Sequence, residues 1–359
     1  MKNILLASTA LVAFAGAAAA QVEVSGTAEV GIVGGDFRYA GTDGDGVSQL
    51  WTDIEIDFIA TGEADNGLTF GAEIDLDEAA NGNGTDDGGA TWFVAFGNAR
   101  LDMGDTDGAV DWALQEVALA GGSIDDAETE HLGYNGNYGA DGDYDGQIAR
   151  VTYTYGDFAA ALSTEIDDGG DFDPIWGVGF QYNADFAGTA VGFGIGYQKG
   201  DEDFSDATLV AATTALGLLP ATATLEDEYD IASDIAAYEV IAASVDVTLN
   251  SGIMMGLNYA ESKYGDAGTS GLGLGETEKY MGVGIGYEMN ALAIGLNYGE
   301  YDDRYGIDGL ETSGYGLAVA YDLGGGLAVQ AGYGLSKVDV SGGDDFDADN
   351  YSLGLAMSF

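Results

Sequence analysis

No cysteine occurs in the 359 residues, proline appears twice and histidine once, and lysine plus arginine total nine. Each scarcity excludes something. Without cysteine there is no disulfide and no thiolate metal site. Two prolines leave the backbone almost everywhere free to donate, which suits a sheet with an unbroken ladder. The lone His131 cannot anchor a Ser/His/Asp set, which argues against an enzyme. Nine bases against 62 acids give a net charge of −53. Such acidity repels phosphates, so nucleic acid is not an expected partner, and contact with cations is favoured. No segment after residue 20 is long and apolar enough to read as a membrane helix. Thr208 to Thr224 comes nearest, but Gly217, Pro220 and flanking acidic runs mark it as part of a loop insertion over 199–234.

Residues 1–20 read as a cleaved signal peptide. Lys2 supplies the positive start, 4–15 the short apolar run, and Ala18-Ala19-Ala20 the small-residue cleavage site. Residues 21–359 then form the folded chain and keep 8 bases (9 less Lys2) against the 62 acids.

What the chain has in abundance is alternation. Asp53-Ile54-Glu55-Ile56-Asp57-Phe58 places a carboxylate at every second position and a large apolar residue between. A strand sends these two sets to opposite faces. The pattern recurs in sixteen segments, from 22–33 to 349–359, with no helices to supply a second layer. The apolar faces must therefore meet lipid, and the carboxylates line a wet interior. The connections alternate between short turns (156–157, 289–291) and long acidic, glycine-rich loops (34–46, 105–146, 199–234, 265–276, 341–347). Short turns at one end and long loops at the other mark a transmembrane barrel. The fold expected is all-β, a sixteen-stranded antiparallel transmembrane β-barrel.

Tyrosines 153, 155, 182, 197, 259, 287, 298, 301, 321 and 333 fall toward strand ends, where amphipathic rings meet the lipid–water boundary. A soluble competitor is a calcium-loaded β-solenoid or an acidic, calcium-binding surface adhesin. The GGxGxDxUx repeat of such solenoids is absent.

The chain ends on Tyr351-Ser352-Leu353-Gly354-Leu355-Ala356-Met357-Ser358-Phe359, an alternating strand closed by Phe. That end resembles the signal read by the barrel-assembly machinery, with Phe359 as the assembly signal. The chain as a whole resembles the general porins of Gram-negative bacteria, in particular the alphaproteobacterial (Rhodobacter-type) porins. The residues that carry the resemblance are Val22-Glu23-Val24-Ser25-Gly26, Gly67-Leu68-Thr69-Phe70-Gly71-Ala72, Phe96 to Asp105, Tyr153-Thr154-Tyr155, Tyr321 to Gly326, and Phe359. The resemblance implies a homotrimer in the outer membrane that passes small hydrophilic solutes and ions by diffusion. It also implies that the third loop, 105–146, folds inward as the constriction. A substrate-selective channel on the same barrel is the alternative.

The expected pore-lining residues are Asp53, Glu55 and Asp57, with Glu73, Asp75 and Asp77 on the next strand's matching face. Family porins usually set wall arginines here against loop acids, so this chain inverts the charge. The wall bases left are Arg38, Arg100 and Arg150, with the last two flanking the inward loop. The loop offers Asp105, Asp107, Asp111 and Glu116, with Trp112 and Leu114 as anchors, then Asp125, Asp126, Glu128 and Glu130. Charged rings set selectivity, so small cations are the expected permeants. No cofactor is required. Calcium is the one candidate, at Asp141, Asp143 and Asp145, which match the opening of a calcium loop, although Thr152 stands where its bidentate Glu belongs. Solvated acidic loops are the other reading of these residues.

Overall fold

The computed structural model describes residues 21–40, 46–79, 89–136, 138–140, 142, 147–166, 173–201, 237–264, 277–342 and 345–359. The signal-peptide segment, Asp141, Asp143, Asp145 and most of the 199–234 insertion lie outside the described residues.

Sixteen strands follow in order: β1 (Gln21–Ala40), β2 (Gly46–Glu63), β3 (Thr69–Ala79), β4 (Ala90–Phe96), β5 (Ala99–Asp105), β6 (Gln147–Tyr155), β7 (Phe158–Glu165), β8 (Ile175–Phe186), β9 (Thr189–Asp201), β10 (Ala237–Thr248), β11 (Ile253–Tyr264), β12 (Thr277–Met289), β13 (Leu292–Asp302), β14 (Leu310–Gly324), β15 (Leu327–Val340) and β16 (Phe346–Ser358). Each pairs antiparallel with its sequence neighbours, and β16 returns to β1 to close the barrel. Closure removes the free edge that an open sheet would expose to lipid. At the seam, the Gly26 and Phe359 backbones exchange hydrogen bonds of 3.3 and 3.0 Å, so the terminal residue itself completes the ring.

The expected alternation holds through the register. Asp53 lies opposite Glu29, Glu55 opposite Thr27 and Asp57 opposite Ser25 on β1, while Glu55 and Asp57 face Asp77 and Asp75 on β3. Ile54, Ile56 and Phe58 are exposed on the other side. The same outward exposure runs around the barrel through Phe193, Ile195, Leu257, Ile285 and Leu296. Toward the long-loop end, a tyrosine often marks the last apolar position and a charge follows two residues on: Tyr197 and Lys199, Tyr259 and Glu261, Tyr298 and Glu300.

Two boundaries and one ring depart from the sequence reading. β1 runs on to Ala40, where a loop was expected from residue 34, because pairing to both β2 and β16 continues through Gly34 and Gly35. β9 likewise carries on to Asp201, so the insertion begins later than residue 199. Tyr301 is no girdle residue. It sits an odd step from outward Tyr298, so it points inward, where it is buried beside Tyr280.

Candidate functional site

The third long connection leaves β5, enters the barrel and stays there. Its first turn is a short helix, α1 (Ala109–Ala113), which lies against β7, β8 and β9. Ala109 N donates to Ser163 Oγ at 2.8 Å. Gln115 N donates to Ser244 Oγ on β10 at 2.9 Å, and Asn258 Nδ2 on β11 donates to Gln115 O at 3.2 Å. The chain then passes β12 to β15 and reaches β1, where Asp125 N donates to Glu29 Oε2 at 2.9 Å. It doubles back: Leu132 N bonds Ser336 Oγ, Tyr138 N bonds Asp111 Oδ1, and Ala140 N bonds Gln198 Oε1. The loop thus lines the wall from β7 around to β1. The strands it leaves uncovered are chiefly β2 to β5, which include the carboxylate-rich wall.

Glycines make this close approach feasible. A Cβ on Gly179 would collide with the Ala109 carbonyl, on Gly284 with the Val117 carbonyl, on Gly295 with the Ala120 carbonyl, and on Gly316 with the Glu128 carbonyl. Glycine inside a strand commonly marks where another backbone comes near. The runs Gly192-Phe193-Gly194-Ile195-Gly196 and Gly282-Val283-Gly284-Ile285-Gly286 alternate glycine inward and a large residue outward. They record the loop's path as well as the lipid face. The inward glycines are the signal in the sequence for that close approach.

The anchors are mostly small apolar side chains. Ala109, Val110, Ala113, Leu114, Val117 and Ile124 are buried between loop and wall. Leu114 anchors as expected from its position, whereas Trp112 is half-buried, with its carbonyl accepting from Gln181 and its ring 5.9 Å from the Arg150 guanidinium.

All four arginines face inward, and three of them hold the loop. Arg38 Nη1 lies 3.2 Å from Asp125 Oδ1 and 3.3 Å from Glu130 Oε1. Arg150 Nη1 donates to the Asp107 carbonyl at 2.7 Å and stands 3.5 Å from its carboxylate. Arg304 reaches the Leu132 carbonyl at 3.4 Å and lies over the Tyr301 ring. Arg100 does something else. Its Nε pairs with Asp102 Oδ1 at 2.6 Å, and its guanidinium stacks 3.9 Å from the Phe93 ring centroid, half-exposed on the uncovered wall. Asp102, which sequence reasoning did not single out, is buried between Arg100 and Arg150.

The loop acids divide similarly. Asp105 ends β5 at the rim, with its carboxyl against Gly89. Asp107 serves Arg150. Asp111 accepts from the returning strand of the loop, and Glu116 accepts from the Tyr134 hydroxyl while remaining exposed. Asp125 takes bonds from Tyr39 and Arg38. Asp125 and Asp126 sit at φ +54° and +45°, a left-handed pair that Asp tolerates better than most residues and that this set of bonds holds in place. Burial raises the carboxyl pKa of Asp125, Glu128 and Glu130 above the ordinary range, and it lowers His131. His131 is no exposed gate. Its Nε2 meets Asn297 Oδ1 at 2.6 Å and its Nδ1 accepts from Gly133 N, so it pins the loop to β13 as a neutral ring.

On the uncovered wall, Ser25 Oγ donates to Asp57 Oδ2 at 3.0 Å and Thr27 Oγ1 to Glu55 Oε2 at 3.3 Å. Hydroxyl donors hold these oxygens without neutralising them. Glu73 and Asp75 extend the acidic surface along β3. Of the wall bases named from sequence, Arg38 and Arg150 are turned to the loop, and Arg100, which flanks the loop in sequence as Arg150 does, is held on the open wall. Among the described residues, no group of three or more acidic or histidine side chains converges as metal ligands.

A sequence profile for Gram-negative porins matches residues 7–341. No curated protein sequence matches. Among solved structures, a triple mutant of the Rhodopseudomonas blastica porin superposes with a TM-score of 0.59 at 18% identity, covering 94% of this chain and 100% of that one. A second mutant of the same porin gives 0.60 at 17% identity over the same shares. A structure described as "Asymmetric conductivity of engineered proteins" gives 0.61 at 17%, again over 94% and 100%. At such identities the likeness is one of fold. The profile, which spans most of the chain, adds the family, and the chain is accordingly a member of the Gram-negative porins, the barrel channels of the outer membrane.

Proposed function

We propose that this porin is a cation-preferring diffusion channel for ions and small hydrophilic solutes. One observation carries the reading: the wall left open by the loop bears Asp53, Glu55, Asp57, Glu73 and Asp75, while three of the four lumenal arginines are bound to loop atoms. Cations gain from that surface and anions are repelled. Reversal potentials of the purified protein in a planar bilayer test it. In a KCl gradient at about 0.1 M, where the screening length is about 10 Å, the sign reports cation preference. At about 1 M, with screening near 3 Å, the preference shrinks. Anion preference at the lower salt would overturn the reading.

The working unit in this proposal is a homotrimer packed through β1 to β5. β4 and β5 have seven residues each, fewer than the about 9–11 that a lipid-exposed strand needs to span. Tyr39, which is buried, is the only tyrosine in these five strands, whereas β6, β8, β9 and β11 to β16 supply the outward rings of the girdle, from Tyr153 to Tyr351. A wall with two strands too short to span and no outward tyrosine fits against a second copy rather than lipid. The natural absence of cysteine makes the test clean. Ile54→Cys or Phe58→Cys gives a subunit-to-subunit adduct with a short bifunctional thiol reagent in native membranes, and Leu296→Cys on β13 gives none. The reverse pattern would rule this interface out. Residues 1–20 as a cleaved export signal and Phe359 as the assembly signal complete the reading.

A further inference from the structure

Arg100 stands apart from the other lumenal arginines. Arg38, Arg150 and Arg304 each reach atoms of the loop, whereas Arg100 lies on the uncovered wall, one residue past the short turn between β4 and β5. Among the described residues its one hydrogen bond leaves from Nε, to Asp102. Both Nη groups remain to donate, and such a planar fork matches a carboxylate. Asp102 lies between two guanidiniums, at 2.6 Å from Arg100 and 3.8 Å from Arg150, so it cannot cancel both. Phe93, the inward residue opposite Asp102, sits beneath the Arg100 guanidinium and fixes its place. The ring in turn spreads over Gly71 on β3, where a Cβ would collide with it. Glu73 is the next inward residue of β3, exposed to the lumen and without a hydrogen-bond partner among the described residues. Gly71 and Glu73 are two residues apart, about 7 Å along a strand. One stretch of wall therefore holds a carboxylate receptor and an ammonium receptor, with an aromatic ring between them.

We propose that this stretch is a subsite for zwitterions of dipeptide size, which takes their carboxylate on the Arg100 Nη groups and their ammonium on Glu73. The inference rests on the reading of this chain as an open diffusion channel and names one class of solute for it. A wall of acids alone gives a zwitterion no net gain, because it repels the carboxylate as much as it attracts the ammonium. Arg100 offsets that repulsion at one place. The spacing selects the size: the termini of an extended dipeptide lie about 6 Å apart, whereas those of a single amino acid are too close to reach both groups. The contacts are few and open to water, so occupancy is brief and the solute moves on.

Current noise of the purified protein in a planar bilayer tests the proposal, in KCl at about 0.1 M, where screening is moderate. A peptide that pauses in the pore adds noise and lowers the mean current. Glycylglycine is expected to bind at least about tenfold more tightly than glycine, the scale of one charge-assisted hydrogen bond. Arg100→Gln weakens glycylglycine about tenfold but does not weaken glycylglycinamide, which carries the ammonium without the carboxylate. Arg100→Lys, which keeps the charge and loses the fork, shifts glycylglycine in the same direction by less. Glu73→Gln weakens both peptides. Each variant is read against its own open current, with the heat-dependent gel shift reporting a folded barrel. A wild-type channel that holds glycine as well as glycylglycine overturns the subsite, and so does an Arg100→Gln loss that is the same for glycylglycinamide. Reversal potentials taken without peptide report the cation preference separately, so failure of that reading and failure of the subsite are distinguishable.

Discussion

Replacing Asp53, Glu55 and Asp57 together with Asn, Gln and Asn should cut the cation-to-anion permeability ratio by about an order of magnitude at low salt. Three carboxylates about 8 Å from a passing ion contribute roughly 0.5 kcal/mol each in a water-like dielectric before screening. At about 0.1 M, screening over about 10 Å leaves roughly half of that, or about 0.7 kcal/mol in all. A potential of that size enriches cations about threefold and depletes anions about threefold, and the ratio moves by the product, about tenfold. At about 1 M the same substitution should do little, because the charges are screened within about 3 Å. The three changes are nearly isosteric, and the Ser25 and Thr27 hydroxyls keep an oxygen to bond at positions 57 and 55. Pore size and the conductance at high salt should therefore hold. Reversal potentials at the two salt levels read the effect directly. An unchanged ratio at low salt would mean that selectivity is set elsewhere, with exposed Glu116 on the loop as the next position to neutralise.

The barrel was legible because strand alternation is local. Each of Ile54, Ile56 and Phe58 declares its face through its immediate neighbours, and sixteen such segments with alternating loop lengths determine the topology. The acidic wall was legible for the same reason, since register across a hairpin follows from its turn. The constriction was less legible. That a forty-residue loop had to go somewhere was clear from its length, but its route is a tertiary fact spread over eleven strands. The fate of the arginines was legible only in part: the position of Arg150 beside the loop in sequence puts the loop within its reach without naming the Asp107 carbonyl, while Arg100, placed the same way, is held on the open wall by Asp102 and Phe93. Tyr301 shows the limit of reading position without parity. It lies near a strand end like the girdle tyrosines, yet one step of phase turns it into the packing beneath the loop. The glycines were visible all along, but a missing side chain names no partner until the partner's backbone is placed.

Those glycines yield the largest structural prediction. Gly316→Val should unseat the inward loop while leaving the barrel folded. A Cβ at this position meets the Glu128 carbonyl and crowds Asn297, whose Nδ2 donates to that same carbonyl at 3.0 Å. The intruding carbon has backbone in its way, which cannot rotate aside as a side chain would. Overpacking of this kind costs about 1–3 kcal/mol, and each 1.4 kcal/mol lowers the docked fraction about tenfold relative to the undocked one. His131, which is tied to Asn297, should be released in the same event, so the strain spreads along the β13 contact rather than staying local. The barrel has no such conflict, because Gly316 pairs with Asn297 and Gly334 through backbone groups that the substitution leaves intact. The expected result is a channel of higher and noisier conductance whose 106–136 segment is cut by protease in the native state, with the heat-dependent gel shift retained. Tyr315→Phe, one residue away on the outer face, should alter none of these. Protection of the loop at the wild-type level in Gly316→Val would show that the loop can move off the wall there without consequence, and the glycine track would then reflect strand packing alone.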